Sequence, residues 1–148
     1  MRVILMFSFL SFLLSACSGS RPNDLGIKDG KLNPCPNKPN CVNSQASSED
    51  REHSIQPISY IGSRTDEESR IKSVVASMPR TRLIKEETGY LYFEFTSLLM
   101  RYVDDVEFYL DDTTKLIHIR SASRLGHSDL GVNRKRMEAI RKGLQEKR

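Results

Sequence analysis

From Arg80 to Ser123 the chain reads "RTRLIKEETGYLYFEFTSLLMRYVDDVEFYLDDTTKLIHIRSAS", and an apolar period of two sustained over this length commits it to β-strands. Turn signals at 87–89, near Tyr102–Asp104 and at 111–115 divide the stretch into four strands, expected as an antiparallel meander. The alternation sends Leu91, Phe93, Phe95, Val106, Phe108, Leu110, Ile117 and Ile119 to one face, the expected core. The other face receives Tyr92, Glu94, Thr96, Asp105, Glu107, Tyr109, His118 and Arg120, with Arg124 just past the last strand. Acids and bases therefore sit on neighbouring strands.

Two helical patterns flank the meander. In "TDEESRIKSVVASMP", Ile71, Val74, Val75 and Met78 recur at helical spacing, Thr65 and Glu68 read as a capping box, and Pro79 closes the helix. After "GHSDLG", Asp129 or Ser128 can cap a last helix with the stripe Val132, Met137, Ile140 and Leu144. A strand over Ile55–Ile61 precedes the first helix, restricted by Pro57 to an edge or an irregular start. The order β-α-β-β-β-β-α predicts an α+β domain, a four- to five-stranded antiparallel sheet with two helices packed on one face.

The first seventeen residues, "MRVILMFSFLSFLLSAC", have one basic residue, an apolar run of export length from Val3 to Leu14 and small residues before Cys17. A membrane span needs roughly 20 apolar residues and a signal-peptide core about 7–15, so residues 1–16 are expected to be a cleaved signal peptide. "LSAC" resembles the bacterial lipobox. By that resemblance Cys17 carries acyl chains, palmitate included, and the mature protein is a lipoprotein of the cell envelope facing the periplasm. Ser18 rather than aspartate after the cysteine favours the outer membrane.

Residues 17–34 are Ser-, Gly-, Asn- and Pro-rich and are expected to form a flexible tether from the lipidated cysteine, leaving 35–148 as one domain. Cys35 and Cys41 are an even pair, expected to form a disulfide in an oxidising compartment. A redox pair would more usually have two intervening residues, and a zinc site would need further ligands. No metal site and no cofactor are expected.

The net charge of +4 is lopsided, because residues 120–148 hold nine Lys/Arg against three Asp/Glu. A basic balance can mark nucleic-acid binding, but an exported lipoprotein meets no genome and the chain shows no aromatic-plus-basic RNA motif, so nucleic acid is not an expected partner. The arginines have nearer uses. Asp105, Glu107, Arg120 and Arg124 are expected to form an ion network, with a ligand-binding face as the alternative. The acid pair, i and i+2 on a strand about 7 Å apart, also has a spacing that glycoside hydrolysis tolerates. His118 with Asp105 or Glu107 could act as base and orienting acid, so His118 and Glu107 are the weak catalytic candidates, although no nucleophile stands in a recognisable context. Asp129, Asn133, Arg134 and Arg136 open the last helix: Asp129 is expected to cap it and the arginines to reach back to the acidic strand, with an anionic ligand as the alternative at this corner together with Arg120 and Arg124. His53 and His127 lack partners at metal-ligand spacing.

"NPCPNKPNCVNSQ", "YVDDVEFYLDD" and "IRSASRLGHSDLGVNRKRMEAIR" together resemble domain-of-unknown-function family 1499, found in bacteria and plastids. The pattern departs from the family at His127, where an aromatic is the rule. The resemblance implies a small envelope or organelle domain and brings no activity with it. The expected function is a lipid-anchored envelope domain, non-enzymatic, that holds the membrane through its acyl chains and binds an anionic ligand or an envelope protein. The alternatives are a hydrolase of envelope polymers using the acidic strand and a purely structural lipoprotein.

Overall fold

The computed structural model describes residues 19–146, so the expected signal peptide and Cys17 lie outside the described residues. The elements are β1 (Cys41–Asn43), β2 (Ile58–Ser59), α1 (Arg64–Ala76), β3 (Thr81–Glu87), β4 (Tyr90–Thr96), β5 (Val103–Asp111), β6 (Leu116–Ser123) and α2 (Val132–Glu146). One antiparallel sheet of six strands runs in the order β1-β6-β5-β4-β3, with β2 also on the outer edge of β6. The fold is α+β, as the alternation implies. β1 was not legible in the sequence, because three residues are too few for a period to show. The strand expected over Ile55–Ile61 pairs only at Ile58–Ser59, immediately after Pro57, which has no N–H to donate.

The eight alternating residues of the core face are buried, and Phe93 and Phe108 meet edge to face at 5.8 Å between centroids. Ile71, Val74 and Val75 from α1 and Met137, Ile140 and Leu144 from α2 cover them, so both helices lie on the same face. The helices approach closely at Gly143, where a Cβ would stand 2.9 Å from Val74 Cγ1. Val132, expected on the apolar stripe of α2, is instead half exposed.

The cap of α1 is Ser63, not Thr65. Ser63 has extended backbone and its Oγ accepts from Asp66 N (3.1 Å), while Thr65 lies within the helix and Glu68 Oε1 instead accepts from Gly89 N (2.7 Å). Cys35 and Cys41 form a disulfide with Cα atoms 5.6 Å apart, and it fixes the loop leading into β1. Closing so short a ring is worth about 2.4 kcal/mol by the chain-entropy relation. Cys35→Ser should therefore lower the urea midpoint modestly and leave the fold intact, and in protein taken from its native compartment both thiols should resist alkylation until reduced.

Residues 19–34, expected as a tether, lie against the sheet. From Pro22 the chain crosses the sheet's polar face, turns at a bridge between Lys28 and Lys31, and returns towards Cys35. Leu32 is buried with Tyr90 and Tyr92, and Leu25, Ile84 and Tyr109 pack around them. Polar composition concealed this arm because it is held by a few apolar side chains and by hydrogen bonds to buried acids.

Candidate functional site

The register of the meander assembles the charged face. Glu107 lies directly opposite Arg120, and Asp105 opposite both Glu94 and Ala122. Arg120 Nη1 donates to Glu107 Oε2 at 3.1 Å, and Glu107 Oε1 accepts from the Tyr90 hydroxyl (2.8 Å) and from Gly26 N of the arm (2.9 Å). Glu107 is fully buried and Arg120 is 8% exposed. Arg124 grips the other acid through Nε to Asp105 Oδ2 (3.0 Å) and Nη2 to Asp105 Oδ1 (2.6 Å), and Nη2 also donates to Glu94. The Tyr92 hydroxyl donates to Asp105 Oδ1 (2.6 Å), and Arg21 of the arm closes on Glu94 Oε1 (2.7 Å).

The charges balance. Three carboxylates, of Glu94, Asp105 and Glu107, face three guanidiniums, of Arg21, Arg120 and Arg124. Burial disfavours the charge on Arg124, yet its bonds to Asp105 and Glu94 outweigh this and raise its pKa. Burial likewise works to raise Glu94, but the bonds from Arg124 and Arg21 win and hold it below the usual carboxylate range. Tyr90 and Tyr92 are pushed up, first by burial and then by the acids they bond, so both stay protonated as donors.

The remaining sequence candidates do not join this cluster. Asp129 caps α2, accepting from Gly131 N (2.9 Å) and Asn133 N (2.7 Å). Buried Asn133 ties β6 to the loop before β1 through Ser121 Oγ (2.5 Å), Ser123 Oγ (2.9 Å) and Asn40 O (3.0 Å). Arg134 donates to the carbonyls of Ser54 (2.8 Å) and Glu52 (3.0 Å). Arg136 pairs with Asp104 (2.5 Å) and stacks over Phe95 with its guanidinium carbon 4.7 Å from the ring centroid. These groups are engaged inside the domain: Asp129 caps α2 and Arg136 reaches back to β5, whereas Arg134 goes to the loop before β2.

His118 faces Tyr109 across the register, stacked at 5.7 Å, and its Nδ1 lies 3.4 Å from Ser44 Oγ. It contacts neither Asp105 nor Glu107, and burial depresses its pKa. His53 is bound by Asp50 (2.7 Å) and by Lys38 O (3.0 Å), and His127 is exposed. Among the described residues, no group of three or more His, Cys, Asp or Glu could hold a metal ion.

Sequence reasoning missed Asp104 with Arg136, the arm, and Glu67. Glu67 is 1% exposed inside α1, paired with Arg70 at 2.7 Å. Its signal was available: Glu67 precedes Ile71 by four residues and so lies on the apolar stripe.

A cleft of about 440 Å³ opens where the arm crosses the network, between Pro22, Leu25, Pro34 and Cys35 on one side and Asp105, Arg120, Ala122 and Arg124 on the other. Arg120 Nε, on a residue lining this cleft, is buried without a hydrogen-bond partner. Buried polar atoms are rarely left unpaired, and among the described residues Asn40 Oδ1, Glu67 Oε1 and Arg70 Nε share this condition.

Together these features define a class: a two-layer α+β domain with helices on one face of an antiparallel sheet and a balanced, buried ion network under an N-terminal arm on the other. A family model described as "Protein of unknown function (DUF1499)" matches residues 31–144, and the chain belongs to that family. No curated protein matches it.

Proposed function

We propose that this is a lipid-anchored envelope protein that binds a small polar ligand in the cleft between arm and sheet, without performing chemistry on it. The carrying observation is the cleft itself, whose lining mixes apolar Pro22, Leu25 and Ala122 with polar Asn33, Ser123 and Arg120, the last with an unpartnered Nε. Because the network is balanced, no surplus positive field draws a free anion. The site suits an uncharged group that presents a carbonyl or hydroxyl oxygen, such as an N-acetylated sugar. Catalysis is disfavoured by the same geometry, since Asp105 and Glu107 are both occupied by guanidinium and tyrosine donors and His118 touches neither. The lipid anchor is supported by the "LSAC" motif at the end of an export-length apolar run. Among the described residues no helix is long and apolar enough to cross a membrane.

Arg120→Lys keeps the charge beside Glu107 but removes the directional Nε donor. N-acetylglucosamine oligomers should raise the melting temperature of the wild-type protein and not of Arg120→Lys, with sulfate inactive on both. If neither probe stabilises the wild type, or if the lysine variant responds equally, the cleft is not a binding site of this kind.

A further inference from the structure

Seven of the ten large apolar side chains that are exposed among the described residues fall in two loops: Leu98, Leu99, Met100 and Tyr102 between β4 and β5, and Leu125, Leu130 and Val132 between β6 and the first turn of α2. Both loops emerge at one end of the sheet, since Asp104 pairs with Ser123 in register and Arg124 N donates to Val103 O at 3.2 Å. Leu99 is 86% exposed at the tip of a hairpin that Ser97 and Tyr102 close, Ser97 N donating to Tyr102 O at 2.8 Å. An apolar cluster this open marks an interaction surface.

What the surface meets is indicated by its rim. A groove of about 480 Å³ beside the hairpin is lined by Met78, Phe95, Leu98 and Val132, with Arg80 and Lys135 at its edge. Arg80, Arg101 and Lys135 are all exposed, and Arg80 gives its Nε to Thr96 O (3.0 Å) rather than to an acid. The acid that lines the groove, Asp104, is already paired with Arg136. An apolar tip flanked by exposed cations that have no acid partner among the described residues is complementary to an anionic phospholipid surface. A second copy of the chain fits less well, because a two-fold contact would set the cations of one copy against those of the other.

The chain's own course points the same way. Gly19 packs at this end, with the position of a Cβ 3.0 Å from Arg124 Cβ and 3.1 Å from Leu125 Cγ. Only Ser18 stands between it and Cys17, so the two residues from Gly19 to Cys17 span at most about 7 Å. We propose that this end is a membrane-docking surface, with Leu98, Leu99 and Met100 inserting among the headgroups of an anionic bilayer while Arg80, Arg101 and Lys135 contact lipid phosphate. The inference rests on Cys17 as the acyl anchor, which would leave the bilayer within reach of the tip. Anchor and tip then hold the domain in one orientation, with the opposite end, at the β5–β6 turn, directed away from the membrane.

The chain has no tryptophan, so single reporters can be placed by substitution. Leu99→Trp and, at the opposite end, Ile61→Trp are made in the full chain with Cys17 intact and again with Cys17→Ser. Each protein is mixed with phosphatidylglycerol/phosphatidylethanolamine vesicles carrying brominated acyl chains, and with phosphatidylcholine vesicles. The Leu99→Trp emission should shift to the blue and be quenched on the anionic vesicles only, while Ile61→Trp stays unshifted and unquenched. Replacing Arg80 and Lys135 by glutamine, or raising the salt, should reduce the quenching. With Cys17→Ser the quenching should persist at higher vesicle concentration. An anchored protein that pellets with vesicles while Leu99→Trp stays unquenched overturns docking and leaves the anchor standing. Quenching that is identical with and without Cys17 overturns the anchor and leaves docking standing. A blue shift without vesicles, accompanied by dimer in sedimentation, assigns the surface to a second copy and overturns the proposal.

Discussion

Arg124→Ala is expected to destabilise the domain by about 3–5 kcal/mol, the usual cost of stranding buried carboxylates, and to do more damage than Arg120→Ala. The side chain of Arg124 is 6% exposed and neutralises both Asp105 and Glu94, whereas that of Arg120 serves Glu107, which retains donors from Tyr90 and Gly26. Position in the sequence suggests the reverse order, since Arg120 is on β6 and Arg124 past its end. The side chain folding back over the strand decides it. A domain of this size has only about 5–15 kcal/mol to lose, so the urea midpoint should fall sharply. Adding Asp105→Asn and Glu94→Gln should recover much of the loss, because contacting residues are non-additive. Arg124→Lys should not, since one ammonium cannot reproduce a planar fork shared by two acids. Simple additivity of the three changes would overturn this account.

The same cluster sets an acid limit. The folded pKa of Glu94 lies below its ordinary value of about 4.3, so its contribution is complete above that pH and disappears as the pH falls through the folded value. Stability measured against pH should drop below about pH 4 in the wild type and less steeply in Glu94→Gln.

Cys17→Ser is expected to release the protein from salt-washed membranes and to abolish incorporation of labelled fatty acid. Two or three acyl chains at about 0.8 kcal/mol per buried CH₂ give effectively permanent attachment, whereas the apolar tip and its cations supply a single, salt-sensitive contact. Retention of the variant in the washed membrane, still correctly processed, would show that something other than an acyl chain holds it.

Much of the sheet could be read in advance. Alternation is a local property of the chain, so the core faces of β4, β5 and β6 and the placement of Asp105, Glu107 and Arg120 on the opposite face were legible. Helical spacing likewise marked Ile71, Val74 and Val75, and Met137, Ile140 and Leu144. Caps were less secure: several polar residues near Arg64 could accept the first N–H groups, and the backbone conformation of Ser63 chose among them.

What the sequence determined by itself was therefore chiefly whatever depends on side-chain period, namely the fold class, the buried face and the charged face opposite the core, with the cysteine pair read from its even count. Tertiary structure alone decided which arginine serves which acid, that Arg134 and Arg136 are spent elsewhere, that Glu67 is buried, and that the arm roofs the network and leaves Arg120 Nε unpartnered. The physical reason is range. A period is written in neighbours two to four residues apart, whereas Arg21 meets Glu94 across 73 positions and Gly26 meets Glu107 across 81, and contacts that distant leave no pattern in a single chain.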